Sequence, residues 1–482
     1  MNASQYDAIV IGSGAGGAAT AYRLVQGGLK VILLEKGDHL PIDGSTLDIQ
    51  RVVHEGKFLS REIWKDGRGR NVCPEEHFNV GGKTKWYGAA LLRFGAHEFQ
   101  ADTAHQCTSW PLSLADMDPY YREAERLLGV RLFDTEPDLA DILCKLKGQW
   151  DVEPIPLSLA SRITADRVEA THFDGFASVA GLKGEADGSI LSLLRDNPDF
   201  TLSVNAEVRK LLGHAGSPAK IVGVELADGR QIRAPRVFLA AGALHSPRIL
   251  GRYLDSTGLA QVLPIGAQVG RNVKLHLLTA LIALSGRSMT DLLRKTVVIT
   301  HEQFPHSSVQ PLGFDSELIA TLVPRFIPDY LRRQAGRRAY GFFLQTEDGS
   351  DPRNRIINAS SAMDHPVLDY DASRTPNAAR EHKSFTRSFQ WALARAGLLS
   401  LTRRIGLNGT AHACGSLACG ENSSSSVVDR NGQVHGMTGL YVVDGSILPR
   451  SSRVNPSLTI YAWGLRVAAQ VAQQVAGSCT HA

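Results

Sequence analysis

Apolar residues in this chain cluster in short runs closed by glycine or other small residues. These runs alternate with stretches of helical spacing. Residues 6–11 end in four consecutive apolar positions and predict a buried strand, and Val31–Leu34 predicts a second. Between them residues 18–25 read as a helix that Gly27-Gly28 ends. Strand, helix, strand in this order is the signature of an α/β fold on a parallel sheet. The strand pattern returns at 201–204, 208–212 and 221–226, and 231–232 closes a hairpin across Asp228-Gly229. Val237–Leu239 is a buried strand that runs into Ala240-Ala241-Gly242-Ala243 and then a helix. Further strands are predicted over 273–284, Val297–Thr300, 340–344 and 440–443. Helices are predicted over 120–128, with Ser113 and Asp116 in a capping arrangement before it, over 381–396 and over 456–475.

The most specific chemistry lies where the first strand meets its helix. Gly12-Ser13-Gly14-Ala15-Gly16-Gly17 is a Gly-x-Gly-x-x-Gly loop set directly between the two. Gly12 permits a tight turn, Gly14 lets backbone touch a pyrophosphate, and Gly17 lets the helix pack on the strand. The helix N-terminus then aims unpaired N–H groups and a positive dipole end at the phosphates. The second strand delivers Glu35, about 20 residues past the glycines, where an acid grips an adenosine ribose. Ser13, Ala15 and Lys36 adjoin these positions and complete the first set of candidate dinucleotide contacts.

Composition narrows the partners. A chain of 482 residues is too long for one compact core and long enough for two domains. Its formal net charge of +4 and the absence of a long Lys/Arg block give nucleic-acid binding no support. The six cysteines form no Cys-x-x-Cys and no His/Cys cluster of zinc spacing, so reduced thiols and no metal are expected. The phosphate-binding strand begins at Tyr6, which leaves no room for a secretory signal, and no apolar run reaches the ~20 residues of a membrane span. A cytoplasmic location is the expectation. In residues 318–338 apolar pairs recur every four residues before Arg332, Arg333, Arg337 and Arg338. This stretch reads as a lid or core helix kinked by Pro324 and Pro328, with a face docking on a membrane or a protein partner as the second reading.

Several separated segments together resemble the glucose–methanol–choline (GMC) oxidoreductase family of FAD enzymes. They are the glycine loop with Glu35, Phe78-Asn-Val-Gly81-Gly82-Lys-Thr-Lys-Trp-Tyr-Gly88, Trp110-Pro-Leu-Ser with Pro119-Tyr-Tyr, and Ala240-Ala-Gly-Ala-Leu-His-Ser246-Pro247. The run from Gly409 through Leu465 matches best, with His412, Asp429, Val434-His-Gly436, Val443-Asp444-Gly445-Ser446, Pro449 and Asn455-Pro-Ser-Leu-Thr-Ile460. The segments stand in the family's order, while the middle block matches only through Asn354-Arg-Ile.

The resemblance implies a discontinuous, Rossmann-like FAD-binding domain from residues 1–94, 200–275 and 406–482. A mixed α+β substrate-binding domain on an antiparallel sheet would take 95–199 and 276–405. It implies His412 as the base that takes a hydroxyl proton while hydride passes to flavin N5, with Asn455 as its partner. An amide donates to the substrate oxygen but is no second base. Asn455 before Pro456 is also what a helix start prefers, and a helix beginning there would aim its dipole at the flavin N1/O2 edge. Further FAD contacts are implied at Gly81, Gly82, Val208, Ala241, Gly242, Asp444, Gly445, Pro456 and Ser457. Some members attach FAD covalently through a histidine in the second glycine segment. Trp86 stands at that position here, so non-covalent FAD is expected. His435 is expected to be structural, and Cys414 and Cys419 to flank the site without a redox role.

The expected activity is FAD-dependent oxidation of a CH–OH group of a sugar, polyol or other small alcohol. Electrons would pass on to O2, a quinone or a redox protein. A lyase of the same fold that keeps FAD without redox turnover, and a non-catalytic flavin-binding protein, are the alternatives.

Overall fold

The structure, a computed structural model, describes residues 5–146, 148–323, 326–359 and 364–479. Five short strands form one parallel sheet: β1 (Ala8–Ile11), β2 (Val31–Leu34), β3 (Phe200–Ser203), β4 (Val237–Leu239) and β5 (Leu440–Val442). Their order is β5-β4-β1-β2-β3. Every residue of β1, β2, β4 and β5 is buried, which is why these strands read as continuous apolar runs. Helix α1 (Ala15–Gln26) follows β1, and α2 (Ser457–Cys479) packs against α1. The Trp463 indole donates to the Val442 carbonyl at 3.0 Å and ties α2 to the end of β5. The sheet thus gathers the beginning, middle and end of the chain around one buried core.

A second sheet has six strands, all antiparallel. In spatial order they are Leu399–Arg404, Leu277–Leu284, Ala339–Thr346, Ser307–Pro311, Val297–Thr300 and Asp151–Pro154. The helix Pro376–Arg395 brings Phe385 and Phe389 against Leu281, Phe342 and Leu344 of this sheet. A three-stranded meander, Val208–His214, Ser217–Leu226 and Gln231–Arg233, leans on the parallel sheet. A four-stranded sheet joins Trp64–Asp66 and Asn71–Val72 to Arg355–Ile357 and Val367–Asp369.

Several elements differ from expectation. The helix expected over 120–128 spans Leu114–Leu127, because the reciprocal Ser113–Asp116 capping box starts it before Pro119. Pro119 removes only one helical donor there. The strand expected over 273–284 is Leu277–Leu284, since His276 adopts a left-handed φ of 61° that takes the chain out of the ladder. The helix at 381–396 begins earlier, at Pro376. Residues 318–338 fold as two short helices, Ser316–Leu322 and Asp329–Arg337. Leu318 and Ile319 are buried while Phe326 is 87% and Tyr330 67% exposed, so the apolar positions do not make one face. Pro324 lies outside the described residues. Among the described residues no helix is long and apolar enough to cross a membrane.

Candidate active site

The glycine loop closes on itself before it opens to a ligand. Gly12 has φ 102° and donates its N–H to the Leu34 carbonyl at 2.8 Å. A β-carbon there would lie 2.4 Å from the Ala240 oxygen, and one at Gly17 would lie 1.9 Å from the Gly12 oxygen. At Gly14, the residue before α1, a β-carbon would meet nothing within 4 Å. No side chain caps α1 and no acid lies in its first turn, so its N–H groups face this opening uncompensated. Ser13 donates from its N–H at 3.0 Å and its hydroxyl at 2.6 Å to Glu35, and its Oγ accepts the Gly81 N–H at 2.9 Å. Gly82 stands over the loop, where a β-carbon would come 3.4 Å from Gly14 Cα. Gly81 and Gly82 both have positive φ, 87° and 53°.

The second wall is the loop after β5. Asp444 is buried; its carboxylate accepts the Gly242 N–H at 2.9 Å, the Ser246 hydroxyl and the Ser446 N–H at 2.9 Å. Burial pushes the Asp444 carboxyl above its ordinary value. Ser246 also accepts the Ala241 N–H at 3.1 Å. Beside Gly445 the Ser446 hydroxyl is buried with no partner, a polar atom that a bound group would satisfy. An open helix N-terminus, open space beside Gly14 where a β-carbon would meet nothing, and this orphaned hydroxyl fit a dinucleotide lying across the loop.

Two imidazoles and two amides meet where the chain turns into α2. An antiparallel bridge pairs Lys274 with Cys414, so the register places His276 opposite His412. Their Nδ1 atoms are 2.9 Å apart. His276 Nε2 faces the carbonyls of Ser451 at 3.0 Å and Ser452 at 2.7 Å. His412 Nε2 faces Asn455 Nδ2 at 3.5 Å, and Asn455 Oδ1 accepts from Gln310 Nε2 at 2.6 Å. The His412 loop is pinned from outside: Lys83 donates to the Thr410 carbonyl at 2.9 Å and pairs with Glu76 at 2.6 Å. Burial holds His412 well below the ordinary histidine value, and His276, Lys295 and Lys83 add to the effect. The ring is therefore neutral at physiological pH, with one nitrogen unprotonated.

Comparison with known proteins decides the family. Residues 350–464 match the model described as GMC oxidoreductase, and residues 7–150 match that described as FAD dependent oxidoreductase. The chain belongs to the GMC oxidoreductase family. Similar members include the paromamine 6'-oxidase of Streptomyces fradiae, 26% identical over 97% of this chain and 91% of that protein. The 6'''-hydroxyparomomycin C oxidase of Streptomyces lividus is also 26% identical, over 98% of this chain and 92% of that one. The crystal structure of pyridoxine 4-oxidase from Mesorbium loti shares the fold, with a TM-score of 0.61 at 18% identity over 96% of this chain and 98% of that chain. The two matched stretches thus make the chain an FAD-dependent oxidoreductase.

In this GMC oxidoreductase most of the sequence-derived cofactor residues lie together. Gly12, Ser13, Gly14, Ala15, Gly17, Glu35, Gly81, Gly82, Ala241, Gly242, Asp444 and Gly445 gather around the loop before α1. Lys36 turns away, pairing with Glu207 at 3.3 Å and lying 4.1 Å above the Phe78 ring. Val208 is buried at the start of its strand, paired with Leu226, close to where Ala206 N–H donates to the Glu35 carbonyl at 2.8 Å. Asn455 is not the N-cap that its neighbour Pro456 suggested. The helix opens at Ser457, the Pro456 carbonyl accepts its first bond from Ile460, and the Asn455 amide is taken up by Gln310 and His412. His435 is structural, bonded to Ser426 and the Gly420 carbonyl at 3.1 Å each. Cys414 and Cys419 are buried free thiols; burial pushes the Cys414 thiol up to about 12. Sequence reasoning missed Gly16, Gln310 and His276. A β-carbon at Gly16 would lie 1.7 Å from the Val443 oxygen, so this glycine lets the Asp444 loop reach α1. A cavity of about 360 Å³ is lined by His276 and Gly409 among others, but by neither His412 nor Asn455, so it is not the space the base faces.

Proposed function

We propose that His412 takes the hydroxyl proton of a small alcohol through Nε2, while Asn455 Nδ2 donates to the same oxygen and steadies its developing charge. The observation that carries this reading is the pairing of a neutral imidazole with an amide N–H at 3.5 Å, at the entry to α2. Bound FAD supplies the hydride acceptor for the carbon. The residues that would hold it are the glycine loop with Ser13 and Glu35 on the adenosine side, and Gly81, Gly82, Gly242, Asp444 and Gly445 along the rest. FAD is held without a covalent bond. Trp86 stands where a linking histidine would be, its indole donating to Asn79 at 3.0 Å and stacked on His77 at 4.7 Å, and it offers no nucleophile.

The substrate is a hydroxyl of a sugar-like polar molecule. Two relatives that align along nearly the whole chain are named for paromamine and 6'''-hydroxyparomomycin C, and both are oxidases by name. The test is anaerobic mixing of the FAD-loaded protein with paromamine, simple polyols and aliphatic alcohols. Bleaching of the flavin with a polyhydroxylated substrate is the expected outcome. A yellow colour that persists with every alcohol would instead favour the lyase reading.

A further inference from the structure

We infer that His276 is the positioning residue of the site: its Nδ1 accepts the Nδ1 proton of His412 and so keeps the base's lone pair on Nε2. This rests on the reading of His412 as the base. The chain of hydrogen bonds allows one proton arrangement. Carbonyl oxygens accept and never donate, and His276 Nε2 faces two of them, Ser451 at 3.0 Å and Ser452 at 2.7 Å. The His276 proton is therefore on Nε2. The ring is 4% exposed, and burial keeps it neutral although Glu347 and Asp348 lie near it. A neutral imidazole protonated at Nε2 is bare at Nδ1. The 2.9 Å contact between the two Nδ1 atoms must then be filled by a hydrogen from His412. His412 is left bare at Nε2, the nitrogen that Asn455 Nδ2 approaches at 3.5 Å. Gln310 fixes the Asn455 amide independently, donating to its Oδ1 at 2.6 Å, so the N–H side of the amide is the one turned to the base.

The surroundings hold this arrangement in place. The carbonyls belong to a loop clamped by two buried carboxylates. Glu347 accepts the Ser452 N–H at 3.1 Å and two bonds from Arg450 at 2.8 and 2.6 Å, while Glu98 accepts the Ser452 hydroxyl and the Arg453 N–H at 2.8 Å. His276 and Ser452, which touch each other, are both non-glycine residues in the left-handed region, at φ 61° and 68°. Backbone strain of this kind persists only where its surroundings over-determine it. Proton balance shows why His276 orients and does not conduct. When the alcohol O–H bond breaks, the proton forms a bond to His412 Nε2, and the resulting imidazolium keeps its Nδ1–H, which still donates to His276 Nδ1. His276 cannot pass a proton onward because its other nitrogen ends on carbonyls.

Two substitutions separate this role from a merely structural one. In His276→Asn the amide oxygen stands where Nδ1 was and still accepts from His412, and asparagine tolerates the left-handed conformation. In His276→Gln the amide nitrogen stands where Nε2 was, so the bonds to the carbonyls survive and the acceptor for His412 is lost. Flavin reduction by an alcohol substrate is measured in the FAD-loaded enzyme, together with 15N-histidine NMR of the tautomer of His412. The wild type is expected to show His412 protonated at Nδ1 only. His276→Asn is expected within about 3-fold of its kcat, and His276→Gln about 10- to 100-fold down with KM changed less than about 3-fold. An Nε2–H tautomer in the wild type, or His276→Gln at full rate with His276→Asn slow, overturns the inference. If His412→Ala keeps the wild-type rate, the base reading itself fails. If His412→Ala is inactive while His276→Gln is not, only the role of His276 falls.

Discussion

Asp444 offers a quantitative test of how the cofactor wall is built. Its carboxylate collects three donors, the Gly242 N–H, the Ser246 hydroxyl and the Ser446 N–H, in a position 5% exposed. Asp444→Ala leaves all three donors buried without a partner, at about 1–3 kcal/mol each. Asp444→Asn keeps one oxygen. Turned toward Gly242 and Ser246, that oxygen leaves only the Ser446 N–H unpaired, opposite an amide NH2, for about 1–3 kcal/mol. The neutral amide also escapes the burial that raises the Asp444 carboxyl. The losses should therefore scale with donors abandoned, Ala well above Asn. Urea unfolding of the FAD-free protein at neutral pH, followed by far-UV circular dichroism, reads this directly. A loss of about 3 kcal/mol lowers the midpoint by about 1 M at a slope of roughly 3 kcal/mol/M. Equal losses for Asn and Ala would show that the charge matters and the donor count does not. An Ala variant within about 0.5 kcal/mol of wild type would refute the hydrogen-bond account altogether.

Other expectations follow from neighbouring contacts. Gly14→Ala keeps the wild-type melting temperature in the FAD-free protein, because its β-carbon meets nothing within 4 Å, but it weakens FAD binding in a fluorescence titration by intruding on the phosphate path. Gly16→Ala, whose β-carbon would lie 1.7 Å from a carbonyl oxygen, lowers both the melting temperature and the FAD content. Asn455→Ala retains FAD and lowers kcat about 10- to 100-fold in steady-state assays, since it removes the donor to the substrate oxygen along with the acceptor of Gln310. Burial pushes His382 from 6.5 down to about 3 in the folded protein. The unfolded chain then binds the proton first as pH falls, so this stability is full above pH 6.5 and is lost between about pH 6.5 and 3. His382→Gln should flatten the dependence of the urea midpoint on pH across that window.

The parts of the molecule written locally were legible in the sequence. The strand, glycine loop and α1 follow from a dozen neighbouring residues, and Gly12 and Gly17 carry the close approaches their positions demanded. Asn455 lies beside His412 and is held there by Gln310, whereas Asn-Pro in the sequence alone reads equally well as a helix start. His276 was invisible for a physical reason. It meets His412 through the register of a bridge between segments 136 residues apart, and nothing near it in the chain marks it. Gly16 was hidden in the same way, since its role depends on Val443 from the far end of the chain. The edge strand Asp151–Pro154 escaped notice because all four of its residues are exposed and carry no buried pattern.

The central claim is that an imidazole at position 412 deprotonates an alcohol beside bound FAD. Anaerobic stopped-flow reduction of the flavin, in wild type and in a His412→Ala variant that retains its FAD, tests it most directly. The account expects rapid bleaching in the wild type and a rate lower by ~10²-fold or more in the variant. Equal rates in the two proteins would contradict it.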